Sequence, residues 1–465
     1  MSRICISNGT IVTPQESFVG DIYIEDGKIA EVVRRGGVDH VVGDRVIDAS
    51  GKLIFPGFID AHTHFDLHVA GTVTCDDFYS GTRAAISGGT TTIIDFGTQY
   101  RGESLRQALE NWKDKAKGGT FCDYGIHMTI TDWNERTKKE CADMMELGAS
   151  TFKVYMTYDT QIDDKTLFEV LVRLKEVGGI TGCHCENTGL IEALRDEAAA
   201  TGGRAKVSSH YKTRPAAAEA EAIGRLLHLA EAADAPVIDV HLTCEEGLQE
   251  IRHARERGQT VIAETCPQYL LMDDSLYELP GFEGAKYVCA PPLRKAGDRE
   301  ALWRALAEGE IQTVATDHCA FTFEQKKLGE LDFRKIPGGM PGVETRGIAI
   351  WSEGVTTGRL TKERMCEVLA EAPARIYGLY PQKGVIAPGA DADLVILDPE
   401  GSTPVTAATQ VSRCDYAPLE GRVFNGSIEQ VYLRGELAAD ANGIYSEGRG
   451  EYLRRGRTEY ATGIT

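Results

Sequence analysis

The sequence predicts an α/β fold: a (β/α)8 TIM barrel with a small β-sandwich domain built from both chain ends. Three observations carry this. Apolar runs of strand length alternate with helical stretches through the middle of the chain. Eight such runs occur, the number that closes a barrel. β-rich segments flank the alternation at both ends of the chain.

Residues 3 to about 50 read as β. Ile22 and Ile24 alternate with polar neighbours, Glu25-Asp26-Gly27-Lys28 turns the chain, and Ile29-Ala30-Glu31-Val32 resumes, a hairpin pattern. The strand candidates that follow are Leu53 to Ala61, Thr90 to Gly97, Tyr124 to Ile130, Thr151 to Met156, Ile180 to Glu186, Val237 to Thr243, Thr260 to Thr265 and Gln312 to Thr316. Helical periodicity lies between them, as in Leu105 to Ala116, Arg136 to Leu147, Lys165 to Val177, Ala217 to Ala232 and Glu246 to Arg257. Beyond Pro388-Gly389 the β pattern returns in Ala392 to Leu397 and Glu429 to Leu433. The expected division is 1–52 with 385–465 as the sandwich and tail, and 53–384 as the barrel.

Composition narrows the function. The chain has 465 residues, 42% hydrophobic and 26% charged, ordinary for a globular protein. A net charge of −20 argues against nucleic acid and anionic membrane surfaces. No apolar run reaches the length of a membrane span, and no secretory leader is evident. The twelve scattered cysteines read as free thiols of a reducing cytoplasm. Cys183-His184-Cys185 lacks a Cys-x-x-Cys companion, so its thiols read as packing residues.

The chemistry begins at Phe55 to Leu67, FPGFIDAHTHFDL. If this run is extended, alternation puts His62 and His64 on one side, where two imidazoles can grip one cation. Other candidate ligands also fall on barrel strands or at their ends: Lys153 lies in strand four, and His184, His241 and Asp317 end strands five, six and eight. In such barrels the C-terminal strand ends carry catalysis. Lys153 sits in an apolar strand, where a bare ammonium beside two dications would be repelled. A deprotonated amine can instead add CO₂ and become an anionic carbamate with two oxygens. Charge counting supports a carboxylated Lys153 bridging two divalent ions: with Asp317 and a bridging hydroxide, it leaves the centre only modestly positive.

These residues stand within longer motifs: PGFIDAHTH (56–64), FKVYMTY (152–158), HCEN (184–187), HLTC (241–244), ETCPQYL (264–270), CAPPLR (289–294), ATDHC (315–319), GGMPGVE (338–344) and DADLVILDP (391–399). With this full set in order over nearly the whole chain, the sequence resembles the cyclic amidohydrolases of the dihydropyrimidinase and hydantoinase family. The resemblance implies a barrel with a β-sandwich, a homotetramer, and two divalent ions, usually zinc, with Mn2+ and Co2+ as alternatives. It places His62 and His64 on the more buried metal, His184 and His241 on the other, and Lys153 as the carboxylated bridge. It makes Asp317 a ligand that also moves protons, and gives Tyr158 a hydrogen bond to the substrate carbonyl. The backbone at Ala290 and Gly338 would hold the cyclic amide. The family more often has Ser and Asn at these two positions, so their side-chain part in substrate choice is altered here.

The implied reaction is attack of a metal-bridging hydroxide on the ring carbonyl of a hydantoin or dihydropyrimidine, giving an N-carbamoyl amino acid. An allantoinase is the alternative. A dihydroorotase is disfavoured because Phe65-Asp66-Leu67-His68-Val69 offers no Arg for a carboxylate. A non-catalytic assembly protein of the same family would lack the histidines and the lysine. Asp60, Asp95 and Asp239 read as outer partners or polar rim, His127 as an interior histidine, and His68, His210 and His318 as loop residues. The resemblance suggests that the basic run Gly448 to Arg457 makes a subunit contact.

Overall fold

A computed structural model describes residues 3–35 and 43–462; the 36–42 part of the expected N-terminal β region and the last three residues of the expected tail lie outside the described residues. Eight parallel strands form the barrel: Phe58–Thr63, Thr90–Thr98, Asp123–Thr129, Thr151–Tyr155, Ile180–His184, Val237–Asp239, Val261–Thr265 and Thr313–Val314. A parallel bridge between Thr63 and His318, with the His64 amide donating to the His318 carbonyl at 2.8 Å, joins the last strand to the first. The helices follow the sequence closely. Leu105–Ala116 agrees at both ends, while Glu135–Glu146, Asp164–Val177, Ala216–Ala233 and Glu245–Glu256 differ by a residue or two at most. Side-chain caps from Ser104, Asn134 and Asp163 meet the free N–H groups that open the first three of these helices.

The two chain ends meet in a single nine-stranded sheet. Leu394–Pro404 pairs antiparallel with Leu53–Pro56, which in turn pairs parallel with Ile4–Val12. The expected sandwich is thus one continuous sheet in its hydrogen bonding. It gathers Ile6, Ile22, Ile54, Leu394 and Ile396 into one buried cluster. The expected hairpin is present between Ser17–Glu25 and Lys28–Arg34. Its loop is Asp26-Gly27 with φ of 50° and 78°, the left-handed pair that a two-residue turn demands.

One expected strand is in fact two. The run 53–61 breaks at Gly57, so Leu53–Pro56 joins the terminal sheet and Phe58–Thr63 opens the barrel. The Gly57 amide donates to the Asp393 carbonyl at 2.8 Å, and a Cβ there would lie 2.1 Å from Thr91 Oγ1. Only glycine lets the chain pass between the two sheets at this point.

The basic tail docks on its own barrel. The Tyr124 amide donates to Glu451 O at 2.9 Å, Leu453 N to Tyr124 O at 2.8 Å and Arg455 N to Gly148 O at 3.0 Å. The Arg455 side chain is buried at the starts of the barrel strands, with Nη1 donating to Thr151 Oγ1 at 2.8 Å. The segment between Leu394–Pro404 and Val423–Leu433 reaches to the other rim: Arg413 N donates to Asp76 at 2.9 Å, and His318 Nε2 meets the same carboxylate at 3.0 Å. Among the described residues no helix is long and apolar enough to cross a membrane.

Candidate metal centre

The first barrel strand carries His62 on its last turn of pleat, and His64 follows directly. Their rings lie 5.2 Å apart. Asp317, past the end of the eighth strand, places Oδ1 3.3 Å from His62 Nε2 and 3.1 Å from His64 Nε2. His184 ends the fifth strand and His241 lies just beyond the sixth; their rings are 4.6 Å apart, and His241 is 5.4 Å from His62. Lys153, in the fourth strand, is buried, with Nζ 5.4 Å from the Phe96 ring and 5.2 Å from the Tyr155 ring. All of the residues singled out in the sequence line one cavity of about 1300 Å³: His62, His64, Lys153, His184, His241 and Asp317, with Tyr158, Ala290 and Gly338. The strands therefore bring together side chains spread over more than half the chain.

Tyr158, His241 and Asp317 hold φ of 70°, 46° and 50°. Left-handed backbone is costly for non-glycine residues and gathers where function requires a particular side-chain direction.

Burial lowers the pKa of His62, His184 and His241, so these imidazoles are neutral and able to donate a lone pair. Burial lowers the Lys153 amine as well. Burial pushes Asp317 up, but His62 and His64 together hold it below its usual value. Lys153 Nζ, His64 Nδ1 and His241 Nδ1 are buried with no hydrogen-bond partner. A ligand atom each from His62, His64 and Asp317 falls within 4.8 Å of the others, a grouping able to hold a metal ion. Neutral imidazoles and a carboxylate form a nitrogen–oxygen donor set that suits a divalent transition metal, and burial disfavours the charged form of the Lys153 amine beside them. The residues present fit such a centre.

Sequence reasoning missed the carboxylates that orient these histidines. Glu264 Oε1 lies 2.7 Å from His62 Nδ1, which leaves Nε2 facing Asp317. Burial raises Glu264 to about 8. Glu186 Oε2 lies 2.7 Å from His184 Nε2 and also accepts from Arg214. Signals for both existed: Glu186 is two residues past His184, and Glu264 sits near the end of a barrel strand between two that supplied predicted ligands. Asp60 is a buried brace, accepting from Thr316 Oγ1 at 2.6 Å and so tying strand one to strand eight. Asp95 likewise accepts from Thr63 Oγ1 at 2.8 Å and Trp112 Nε1 at 3.1 Å. Asp239 is buried with one oxygen unpartnered.

The Tyr158 ring lies 5.1 Å from that of His184, and burial raises its hydroxyl, which stays a proton donor. A Cβ on Gly338 would sit 3.9 Å from Ala290 N, so these two small residues adjoin and leave room for a larger side chain. Lys326 pins both of their loops. Its Nζ donates to Val288 O at 2.8 Å and to Pro337 O and Gly339 O at 2.7 Å. Of the other histidines, His127 is interior and bonds the Ala61 carbonyl at 2.9 Å, as expected. His68 is exposed at the cavity mouth. His318 is a buried loop residue that meets Asp76, whereas His210 lies on the short helix Ser209–Lys212 rather than in a loop, buried 2.7 Å from the Cys289 carbonyl.

The profile of the amidohydrolase family matches residues 53–438. The D-hydantoinase of Geobacillus stearothermophilus is 44% identical over 97% of this chain and 96% of its own length. That of Streptomyces coelicolor is 41% identical over 99% and 100%. The crystal structure of dihydropyrimidinase from Brevibacillus agri superposes with a TM-score of 0.94 at 39% identity, covering 98% of this chain and 99% of that one. The L-hydantoinase of Arthrobacter aurescens gives 0.90 at 30% identity, over 98% and 100%. A barrel with this rim of histidines, matched end to end in sequence and in shape, belongs to the amidohydrolase family, in its hydantoinase and dihydropyrimidinase branch.

Proposed function

We propose that this cyclic amidohydrolase hydrolyses the ring of hydantoins or dihydropyrimidines to N-carbamoyl amino acids. One observation carries the reading: four histidines, Asp317 and the partnerless Lys153 converge on one cavity. The relatives at 41–44% identity are named for D-hydantoins, which favours hydantoin over allantoin and the D hand over the L.

The centre takes two divalent ions, zinc first among them. His62 and His64 would hold one, His184 and His241 the other, and Asp317 would serve as a further ligand. Lys153, whose charged form burial disfavours, would add CO₂ through its deprotonated amine with release of one proton, and the carbamate would offer the ions an anionic oxygen donor. When bound, the ions supply an acidified water as nucleophile and an electrophile for the carbonyl oxygen. Asp317 accepts the proton of the nucleophile and delivers it to the leaving ring nitrogen. The Tyr158 hydroxyl donates to the carbonyl oxygen as its charge grows. Backbone groups at Ala290 and Gly338 hold the cyclic amide, and Lys326 keeps their loops in place. Glu264 and Glu186 fix the His62 and His184 rings. A homotetramer in a reducing cytoplasm completes the proposal; the free state of all twelve cysteines supports the compartment.

The test is a turnover panel with metal quantified: D- and L-5-phenylhydantoin, dihydrouracil and allantoin. D-5-phenylhydantoin should turn over in proportion to bound metal. Lys153→Ala should lose the metal, with partial rescue by a short carboxylic acid. Full activity in a metal-free preparation, or full occupancy in that variant, defeats the reading. Tyr158→Phe should lower kcat by about 10²-fold with metal content intact; unchanged turnover would remove its role.

A further inference from the structure

Arg195 lies on the helix Thr188–Ala200 and lines the same cavity. Its Nε is buried with no hydrogen-bond partner, and among the described residues no carboxylate pairs with it. The charged groups facing it are Arg214, Tyr158, Glu186 and Arg334. Arg214, Glu186 and Arg334 are already engaged. Arg214 donates to Glu186 Oε2, which His184 Nε2 also meets at 2.7 Å. Arg334 is clasped by Asp332 at 2.8 and 2.7 Å. Glu192, one turn earlier on the helix, also lines the cavity but is exposed and makes no bond to Arg195. Burial first, then the charge of Arg214, lowers the Arg195 guanidinium to about 10.

A half-buried guanidinium whose Nε has no partner is costly, and the chain did not lack acids: it has 70 acidic residues against 50 basic ones. A planar two-donor fork beside Tyr158 is shaped for a carboxylate. The carboxylate released by ring opening forms at the metal centre, so the anion Arg195 awaits must come from elsewhere on the substrate. The cavity is large, and Ala290 and Gly338 leave it open.

We infer that Arg195 binds a carboxylate at the end of the ring substituent, so that cyclic ureides with an anionic side chain are a preferred substrate class. This rests on the ring-opening function proposed above and assigns a specificity residue to the same site.

The experiment compares kcat/KM for 5-(2-carboxyethyl)hydantoin and its carboxamide counterpart, in the metal-loaded enzyme and in Arg195→Gln and Arg195→Lys. The wild type should prefer the acid by about 10- to 100-fold. Arg195→Gln should bring that ratio near one, and Arg195→Lys should restore part of it. A wild-type ratio near one, alongside rapid turnover of 5-phenylhydantoin, overturns the inference alone. An equal fall for both substrates in Arg195→Gln also overturns it, and assigns Arg195 to bracing Glu186 and His184. If no hydantoin is opened by metal-loaded enzyme, the ring-opening reading falls and takes this one with it.

Discussion

Two buried lysines show how differently this molecule treats charge in two of its regions. Lys383 sits at the seam between barrel and terminal sheet, where Nζ meets Asp123 at 2.6 Å, Asp393 at 2.7 Å and Asp391 at 3.0 Å. Burial works against its ammonium, but the three carboxylates outweigh it and raise the pKa above the ordinary lysine range. Lys153, equally buried at the rim, has no partner, and burial lowers its pKa. The seam is electrically complete within the chain. The rim is complete only when something else arrives. A buried group left without a partner in an otherwise well-satisfied fold is therefore a pointer to a ligand.

The contrast can be broken first at the seam. Lys383→Met leaves buried Asp393 without its cation, while Asp123 keeps Arg434 and Asp391 keeps Lys28, and should cost about 3–5 kcal/mol. Chemical denaturation would read this as a lower midpoint at unchanged slope, and an unchanged midpoint would mean that the seam does not depend on the pairing. A group of intermediate kind sharpens the comparison. Glu344 accepts only two amides, from Val411 at 2.8 Å and Ser412 at 3.4 Å, and burial raises it to about 7. Its folded pKa lies above the unfolded value, so the folded state holds the extra proton between the two. Stability from this group should be present below about pH 4.5 and decline by about 3 kcal/mol as pH rises through 7. Glu344→Gln keeps an acceptor for both amides and should abolish that part of the slope; parallel pH profiles in the two proteins would refute it. The smallest effect belongs to the rim. In metal-free protein, Lys153→Met removes an unmatched amine at similar volume. It should shift stability by less than about 1.5 kcal/mol, in the stabilising direction. A large loss would show that Lys153 has a structural partner after all.

The site was legible because its chemistry is written in short-range pattern. His62 and His64 share a face by alternation, and His184, His241 and Asp317 each follow an apolar run of strand length. Strand ends in a barrel converge, so five separate motifs could be read as one rim. The run 53–61 misled because its apolar character continues through Gly57, and nothing local says that the backbone there passes between two sheets. The docking of the basic tail on its own barrel was hidden for a related reason. Arginines at a chain end look solvated or intermolecular until a barrel floor is found beneath Arg455.

What the residues alone determined was periodicity: eight strands, their helices, the Asp26-Gly27 turn and the placing of each candidate ligand on or just beyond its strand. Periodicity acts over a few residues, so it survives without knowledge of the rest. What only the tertiary structure decided was pairing. Glu264 reaches His62 across 202 residues, and Lys383 reaches Asp123 across 260. Arg195 stayed without a partner even though Glu192 stands one turn away. A buried polar group takes whichever partner the packed fold brings within bonding distance, and sequence separation carries no record of that distance.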